Sequence, residues 1–236
     1  MHFLLQGDGV TIVEKRTVRL AALMYDWRTS LASLQYLCAG HLNEIDASVV
    51  PVGTVEFVQE FARQYNIHLP VFNTYPPCLH GLLRREVREM RLGDVRGDVF
   101  VKPQTDVKRF TGGMVCDIPA GLPADLSVWV SEPVDFVSEW RYYVLNGVVV
   151  GAGRYDDGDD DAPAPDEADI TDAVRAWSSA GAPAGYSLDF GVTRQGNTAL
   201  VEANDGWSLG FYKGSCSNKN YAQLLHARWL EIVLHG

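Results

Sequence analysis

Apolar residues recur along the chain at two different spacings, which together predict a mixture of strands and helices. The segment 126–131 places apolar residues at alternate positions, as in a half-buried strand. Further strands are predicted for 98–102, for 140–150 folded around Asn146-Gly147, and for 186–192 paired with 198–203 through a turn at 195–197. Helical spacing marks 55–62, with Thr54 as its N-cap, and helices are also predicted for 82–90, 170–179 and 221–235.

The order of these elements is strand-rich, with helices at intervals and an antiparallel hairpin near each end of the second half. This order predicts an α+β fold and differs from the regular alternation of a doubly wound parallel sheet. At 236 residues and 47% apolar content, the chain is long enough for one globular unit of two or three subdomains. It contains neither an 18-residue apolar run nor a signal-peptide pattern, so we expect a cytoplasmic protein without a membrane partner.

The formal net charge of -10 is mostly local, because residues 156–172 hold nine acidic residues and no Lys or Arg. The rest of the chain is therefore close to neutral and lacks the basic surface of a nucleic-acid binder, so no nucleic-acid partner is expected. The loop 156–168 is acidic and contains proline, and it could lie outside a binding cleft or cover one. The four cysteines form no CxxC pair and the histidines no HxxxH pair, which predicts idle thiols and argues against a zinc site.

Three oxygen-bearing residues fall on the two strands of the second predicted hairpin. Asp189 lies on one strand, and Glu202 and Asn204 lie two positions apart on the other, so the last two share a sheet face. Two carboxylates and an amide oxygen suit Mg²⁺, which takes such ligands together with nucleotide phosphates. Taken alone, the same pattern also describes an ordinary solvated hairpin face.

Basic residues and a glycine pair suggest a phosphate site in the first half of the chain. Lys102 ends an apolar strand, and the loop 106–113 combines Lys108 with Thr111 and two glycines. A lysine can hold a phosphate as a point charge, and glycine-rich backbone can cradle one. A lysine reaching solvent from a buried strand and a plain turn explain the same residues, and the GxxxxGK[ST] loop is absent.

Charged residues also surround the third predicted strand. Glu132 ends the strand before it, and Glu139 and Arg141 flank Trp140, so strand alternation places both charges on one face and the indole on the other. The arginine could bind phosphate through its planar fork, or it could form a cross-strand ion pair. The GxGxxG, GxSxG, HRD and DFG signatures of other nucleotide and hydrolase families are absent.

The order and spacing of these residues resemble the ATP-grasp superfamily, as in D-alanine–D-alanine ligase, and more narrowly a clade of small ATP-grasp proteins with a modified arrangement of lysines. The segments that carry the resemblance span about 48–214 and include Phe100-Val101-Lys102-Pro103, Glu139-Trp140-Arg141 and Glu202-Ala203-Asn204-Asp205-Gly206. The resemblance implies two α+β lobes clasping ATP behind a small α/β N-terminal domain. We accordingly expect an N-terminal domain at 1–75, an N-lobe at 76–133 and a C-lobe at 134–236.

The resemblance also implies cofactors and roles. ATP and Mg²⁺ would be bound, with Lys102, Lys108 and Thr111 at the phosphates, Glu132 and the backbone near Val134 at the adenine, Glu139 at the ribose, Arg141 at the γ-phosphate, and Asp189, Glu202 and Asn204 at the metal. Arg141 and Lys108 would be the catalytic cations.

The implied activity is that of a carbon–nitrogen ligase, which activates a carboxylate as an acyl phosphate for attack by an amine. Its partners would be small-molecule or peptide carboxylates and amines. A nucleotide-binding regulatory module without turnover, or an ATP-grasp kinase, would carry the same nucleotide site and remains the alternative.

Overall fold

The N-terminal part of the protein is a small parallel sheet with helices between its strands. A computed structural model describes residues 1–9, 12–40, 42, 45–104 and 110–235. The first sheet has the order β2-β1-β3, and its strands alternate with helices: β1 His2–Gln6, α1 Ile12–Met24, β2 Arg28–Ala32, α2 Leu34–Cys38, β3 Val50–Val52 and α3 Val55–Gln64. The predicted α3 cap is confirmed, because Thr54 Oγ1 accepts a hydrogen bond from Phe57 N at 3.3 Å.

The second sheet is antiparallel and contains a strand where the sequence predicted a helix. Its strand order is β4-β7-β5-β6, with β4 Val87–Arg91, β5 Phe100–Pro103, β6 Gly113–Met114 and β7 Ser127–Ser131. The helix predicted for 82–90 is therefore wrong: a 3₁₀ turn at Pro77–Leu82 is followed by β4. Pairing with β7 overrides the helix propensity of this basic segment, because the ladder satisfies its backbone.

The third sheet is antiparallel and carries the two predicted hairpins. Its order is β11-β10-β8-β9, with β8 Phe136–Leu145, β9 Val148–Arg154, β10 Gly185–Thr193 and β11 Thr198–Asp205. Both residues of the Asn146-Gly147 turn have positive φ, at 49° and 75°. This is the geometry that a two-residue hairpin requires and that Asn-Gly adopts readily.

Two further helices cover the sheets and close the core. Helix α4, Glu167–Ser179, packs Ile170 and Trp177 into a cluster with Phe190 of β10. Helix α5, Asn218–His235, buries Trp229 against Phe61 of α3, 5.7 Å between ring centroids. One hydrophobic cluster thus joins the N-terminal sheet to the end of the chain.

The predicted segments and thiols can be placed on this fold. The three sheets fall within 1–75, 76–133 and 134–236 respectively, while the shared N-terminal cluster crosses the first boundary, so the division into domains stays a prediction. All four cysteines are free, and three of them are exposed. Among the described residues, no helix has both the length and the apolar content to cross a membrane.

Candidate functional site

A cleft of about 470 Å³ opens between the second and third sheets. Strand β5 contributes Lys102 from one side, while β8 and β11 contribute polar side chains from the other. The segment that follows β11, including Gly210 and Tyr212, forms one end of the wall. The predicted phosphate and metal residues thus reach one cavity from sheets that are far apart in sequence.

Three charged residues form a row across adjacent strands on the cleft side. Asp189 on β10 lies directly opposite Arg141 on β8 and directly opposite Glu202 on β11. Directly paired residues of an antiparallel sheet share a face, and Asn204 joins them two positions further along β11. Trp140 packs into the core on the other face. The predicted sharing of a face by the three oxygen-bearing residues is confirmed.

Arg141 is fixed by a buried, bidentate ion pair. Its Nε and Nη2 donate to the two carboxylate oxygens of Asp189 at 2.8 and 2.7 Å, and the side chains are only 8% and 2% exposed. Burial opposes the charge, yet Asp189 raises the pKa of the guanidinium above its usual value. Arg141 therefore remains a cation, which is the arrangement that makes a buried pair tolerable.

Two stacked tyrosines lie against the face of this guanidinium. The Tyr155 and Tyr212 ring centroids are 4.8 Å apart with planes inclined by 10°, and the Arg141 Cζ lies 4.9 Å from the Tyr212 ring. The Tyr155 hydroxyl also donates to Glu139 at 2.8 Å. Burial raises the pKa of the Glu139 carboxyl, and this hydrogen bond lowers it in part.

Lys102 links the two sheets through an ion pair with Glu202. Its Nζ also lies 5.9 Å from the Tyr75 ring. The side chains of the pair are 15% and 16% exposed, so the charges face the cleft without being freely solvated. The pair connects the tip of β5 to β11 across the cavity.

The donor set around Asp189 and Glu202 suits a hard divalent cation. Glu202 and Asn204 line the cleft with oxygen atoms, and Asn204 Nδ2 donates to Asp189 Oδ2 at 3.3 Å, which brings the two side chains together. Two carboxylates and an amide are ligands of the Mg²⁺ type. The residues present thus fit the ion, although each carboxylate is shared with a cation, Arg141 or Lys102.

The remaining predicted residues are placed less uniformly. Thr111 lines the cleft, and Lys108 lies outside the described residues. Glu132 is exposed and accepts a bond from Glu86 N at 3.4 Å; neither it nor Val134 lines the cleft. No residue of 156–168 lines it either, although Asp156 Oδ2 accepts from Glu139 N at 2.7 Å.

Sequence reasoning missed the two tyrosines that hold Arg141. Tyr155 follows β9, and its N donates to Glu139 O at 3.0 Å. Its neighbour Arg154 would have been expected there by counting from the Asn146-Gly147 turn, but a register shift between Tyr143 and Val144 moves the pairing by one residue. Tyr212 lies in an irregular segment that no spacing rule addresses.

Comparisons with known proteins agree with this geometry. Residues 82–224, more than half of the chain, match the model of an ATP-grasp domain, the second family of its clade. No curated protein sequence matches.

Several solved structures are similar in fold. D-cycloserine synthetase DcsG is 13% identical with a TM-score of 0.65, over 97% of this chain and 99% of that one. The ATP-grasp ligase PsnB, complexed with minimal precursor, Mg and ADP, is 14% identical with a TM-score of 0.56, over 97% and 96%. D-alanine–D-alanine ligase from Bacillus anthracis is 12% identical with a TM-score of 0.54, over 99% and 95%. The protein therefore has the ATP-grasp fold and belongs to this clade family of ATP-grasp domains.

Proposed function

We propose that the protein is an ATP- and Mg²⁺-dependent ligase that joins a carboxylate to an amine. One observation supports this above the rest: two cations, two carboxylates and an amide converge on one cleft from strands β5, β8, β10 and β11. Membership of the ATP-grasp family and a fold shared with several ligases support the same conclusion.

We assign the cleft residues to parts of the nucleotide by their chemistry and by the family resemblance. Lys102, with Lys108 and Thr111, would bind phosphate; Glu139 would bind the ribose hydroxyls; Glu132 and the Val134 backbone would bind adenine; and Asp189, Glu202 and Asn204 would hold Mg²⁺. The ion would neutralise phosphate charge when bound.

The chain's own contribution to the reaction would be positioning and charge. Phosphoryl transfer to a carboxylate yields an acyl phosphate and ADP; an amine then forms the C–N bond as phosphate leaves. The protein needs no nucleophile for these steps, only oriented cations. Arg141 is oriented in advance, because Asp189 holds one edge, Tyr212 covers one face and Gly210 O accepts from Nη1 at 3.4 Å.

The proposal is tested by measuring ADP release with a matrix of small carboxylates and amines in the presence of Mg²⁺. We expect ADP formation that requires both a carboxylate and an amine, together with an amide product detected by mass spectrometry. ADP formation without an amine, giving a stable phosphorylated product, would identify a kinase. Binding of nucleotide without turnover across the matrix would identify a regulatory module.

A further inference from the structure

A second cavity of about 210 Å³ adjoins the first and has a different character. It lies among the β3–α3 connection, the start of α1, helix α5 and the segment after β11. Most of its wall is apolar, formed by Pro51, Val52, Val55, Leu209 and Leu225. Its volume is below the roughly 300–1,000 Å³ of pockets for drug-sized ligands, so it suits a small molecule.

Glu14 is the one charged side chain among the described residues that line this cavity. Its Oε1 accepts a hydrogen bond from Phe211 N at 3.0 Å, which orients the carboxylate. Its other oxygen has no hydrogen bond or ion pair with any described residue. An oriented carboxylate with an available oxygen beside apolar walls is suited to a compact cation such as a primary ammonium.

Hydrogen-bond donors stand on another part of the same wall. Trp207 is only 5% exposed, and its indole N–H has no partner among the described residues. Val55 begins helix α3, where the first backbone amides have no intrahelical acceptor. These donors suit an acceptor oxygen on the same ligand as the ammonium.

Gly210 connects the second cavity to Arg141. A methyl group built on its Cα would lie 3.5 Å from Arg141 Nη1 and 3.8 Å from Glu14 Oε1. The two side chains therefore flank the same backbone position, and Gly210 lines both cavities. A ligand held by Glu14 would lie next to the end of the cleft that Arg141 occupies.

We propose that this second cavity binds the amine substrate, a small molecule with a primary ammonium and a nearby carbonyl oxygen, and that Glu14 recognises its ammonium. This inference rests on the proposed ligase function for the role of the bound amine. The binding itself depends only on the cavity.

Alaninamide is the probe for this site, because it carries an ammonium and a carbonyl in a small frame. Lactamide, which has a hydroxyl in place of the ammonium, is the matched comparison. Binding to the full chain is followed by ¹H–¹⁵N NMR titration, with and without ADP and Mg²⁺. Glu14→Gln keeps the acceptor for Phe211 N and removes the charge. Glu56→Gln removes an exposed charge outside the cavity and is the control.

We expect Glu14→Gln to raise the Kd for alaninamide roughly ten- to hundredfold, as for a lost charge-assisted hydrogen bond, and Glu56→Gln to leave it unchanged. Lactamide should bind wild type as weakly as alaninamide binds Glu14→Gln. Equal affinity of alaninamide for wild type and Glu14→Gln, or no binding to folded wild type, overturns the inference. ADP binding, measured separately by calorimetry, shows whether the proposed nucleotide site fails as well.

Discussion

At the scale of single residues, the two cleft cations are held differently and should fail differently when removed. Lys102 is partly exposed at the tip of β5 and pairs with Glu202 across the cavity. We expect Lys102→Ala to weaken binding of ADP or a non-hydrolysable ATP analogue by roughly 1.5–3 kcal/mol, as for a lost charged hydrogen bond. Calorimetry measures this, with the exposed Lys219→Ala as control. Unchanged affinity in a folded variant would make Lys102 a structural partner of Glu202.

Arg141 should matter more for turnover than for nucleotide binding. A donor oriented towards charge that develops during phosphoryl transfer lowers the barrier more than it aids ground-state binding. We expect Arg141→Ala to reduce turnover roughly 10²–10³-fold, with a much smaller change in nucleotide affinity. Arg141→Lys should recover only part of the rate, because it keeps the charge and loses the fork that Asp189 binds.

Both Arg141 variants leave Asp189 buried with a weaker partner, so their stability is a necessary control. Urea denaturation of each variant gives its free energy of unfolding, and kinetics should be measured where each is fully folded. Wild-type turnover in Arg141→Ala, or a defect confined to unfolding, would make the arginine a structural ion-pair partner only.

At the scale of elements, helix α3 contains a titratable pair whose contribution to stability should depend on pH. Hydrogen bonds from Arg63 and Gln64 lower the pKa of the Glu60 carboxyl to about 2. A carboxyl with a depressed folded-state pKa contributes stability above its unfolded-state pKa of about 4.5, and this contribution is lost as pH falls towards the folded value.

Glu60→Gln should therefore lower the free energy of unfolding at pH 7, by less than about 1 kcal/mol because Arg63 is 68% exposed. The difference from wild type should shrink between pH 4.5 and pH 2. Urea denaturation at several pH values measures it, with the exposed Glu56→Gln of the same helix as control. A difference that stays constant with pH would show that the Glu60 charge is not responsible.

The hairpin of β8 and β9 shows how far element-level prediction reaches. The Asn146-Gly147 pair predicted the turn correctly, because both residues tolerate positive φ. The register shift at Tyr143 and Val144 determines that Tyr155 stands next to Glu139. Such a bulge depends on packing of neighbouring strands and has no sequence marker here.

At the scale of the whole molecule, a second buried ion pair ties the third sheet to the closing helix. Arg228 of α5 donates to both carboxylate oxygens of Asp205, at the end of β11, at 2.6 and 2.7 Å. The two side chains are 8% and 7% exposed. Arg228 also pairs with Glu231 at 2.7 Å. These bonds anchor the start of the segment that walls both cavities.

Arg228→Met should reduce the free energy of unfolding by roughly 3–5 kcal/mol, because it leaves the Asp205 carboxylate buried without its partner. The double variant Asp205→Asn with Arg228→Met should lose less, since no charge then remains buried. Arg175→Met is the control, because its pair with Asp172 is exposed. Urea denaturation compares the three, and an effect of Arg228→Met no larger than the control would contradict the expectation.

The sequence by itself determined those features of the protein that depend on local order and spacing. Alternation along β8 and β11 was enough to place Glu139 with Arg141, and Glu202 with Asn204, each pair on one sheet face. Their order along the chain was enough for the resemblance to the ATP-grasp fold.

Only the tertiary structure decided which of these faces meet. The Arg141–Asp189 pair joins residues 48 positions apart, and the Lys102–Glu202 pair joins residues 100 apart. The cavity beside Glu14 brings the first turn of α1 to the backbone of Phe211. Local periodicity carries no information about contacts at these separations, because they depend on how strands pair and sheets pack. The same limit explains why β4 was predicted as a helix: its partner β7 lies about 40 residues further along the chain.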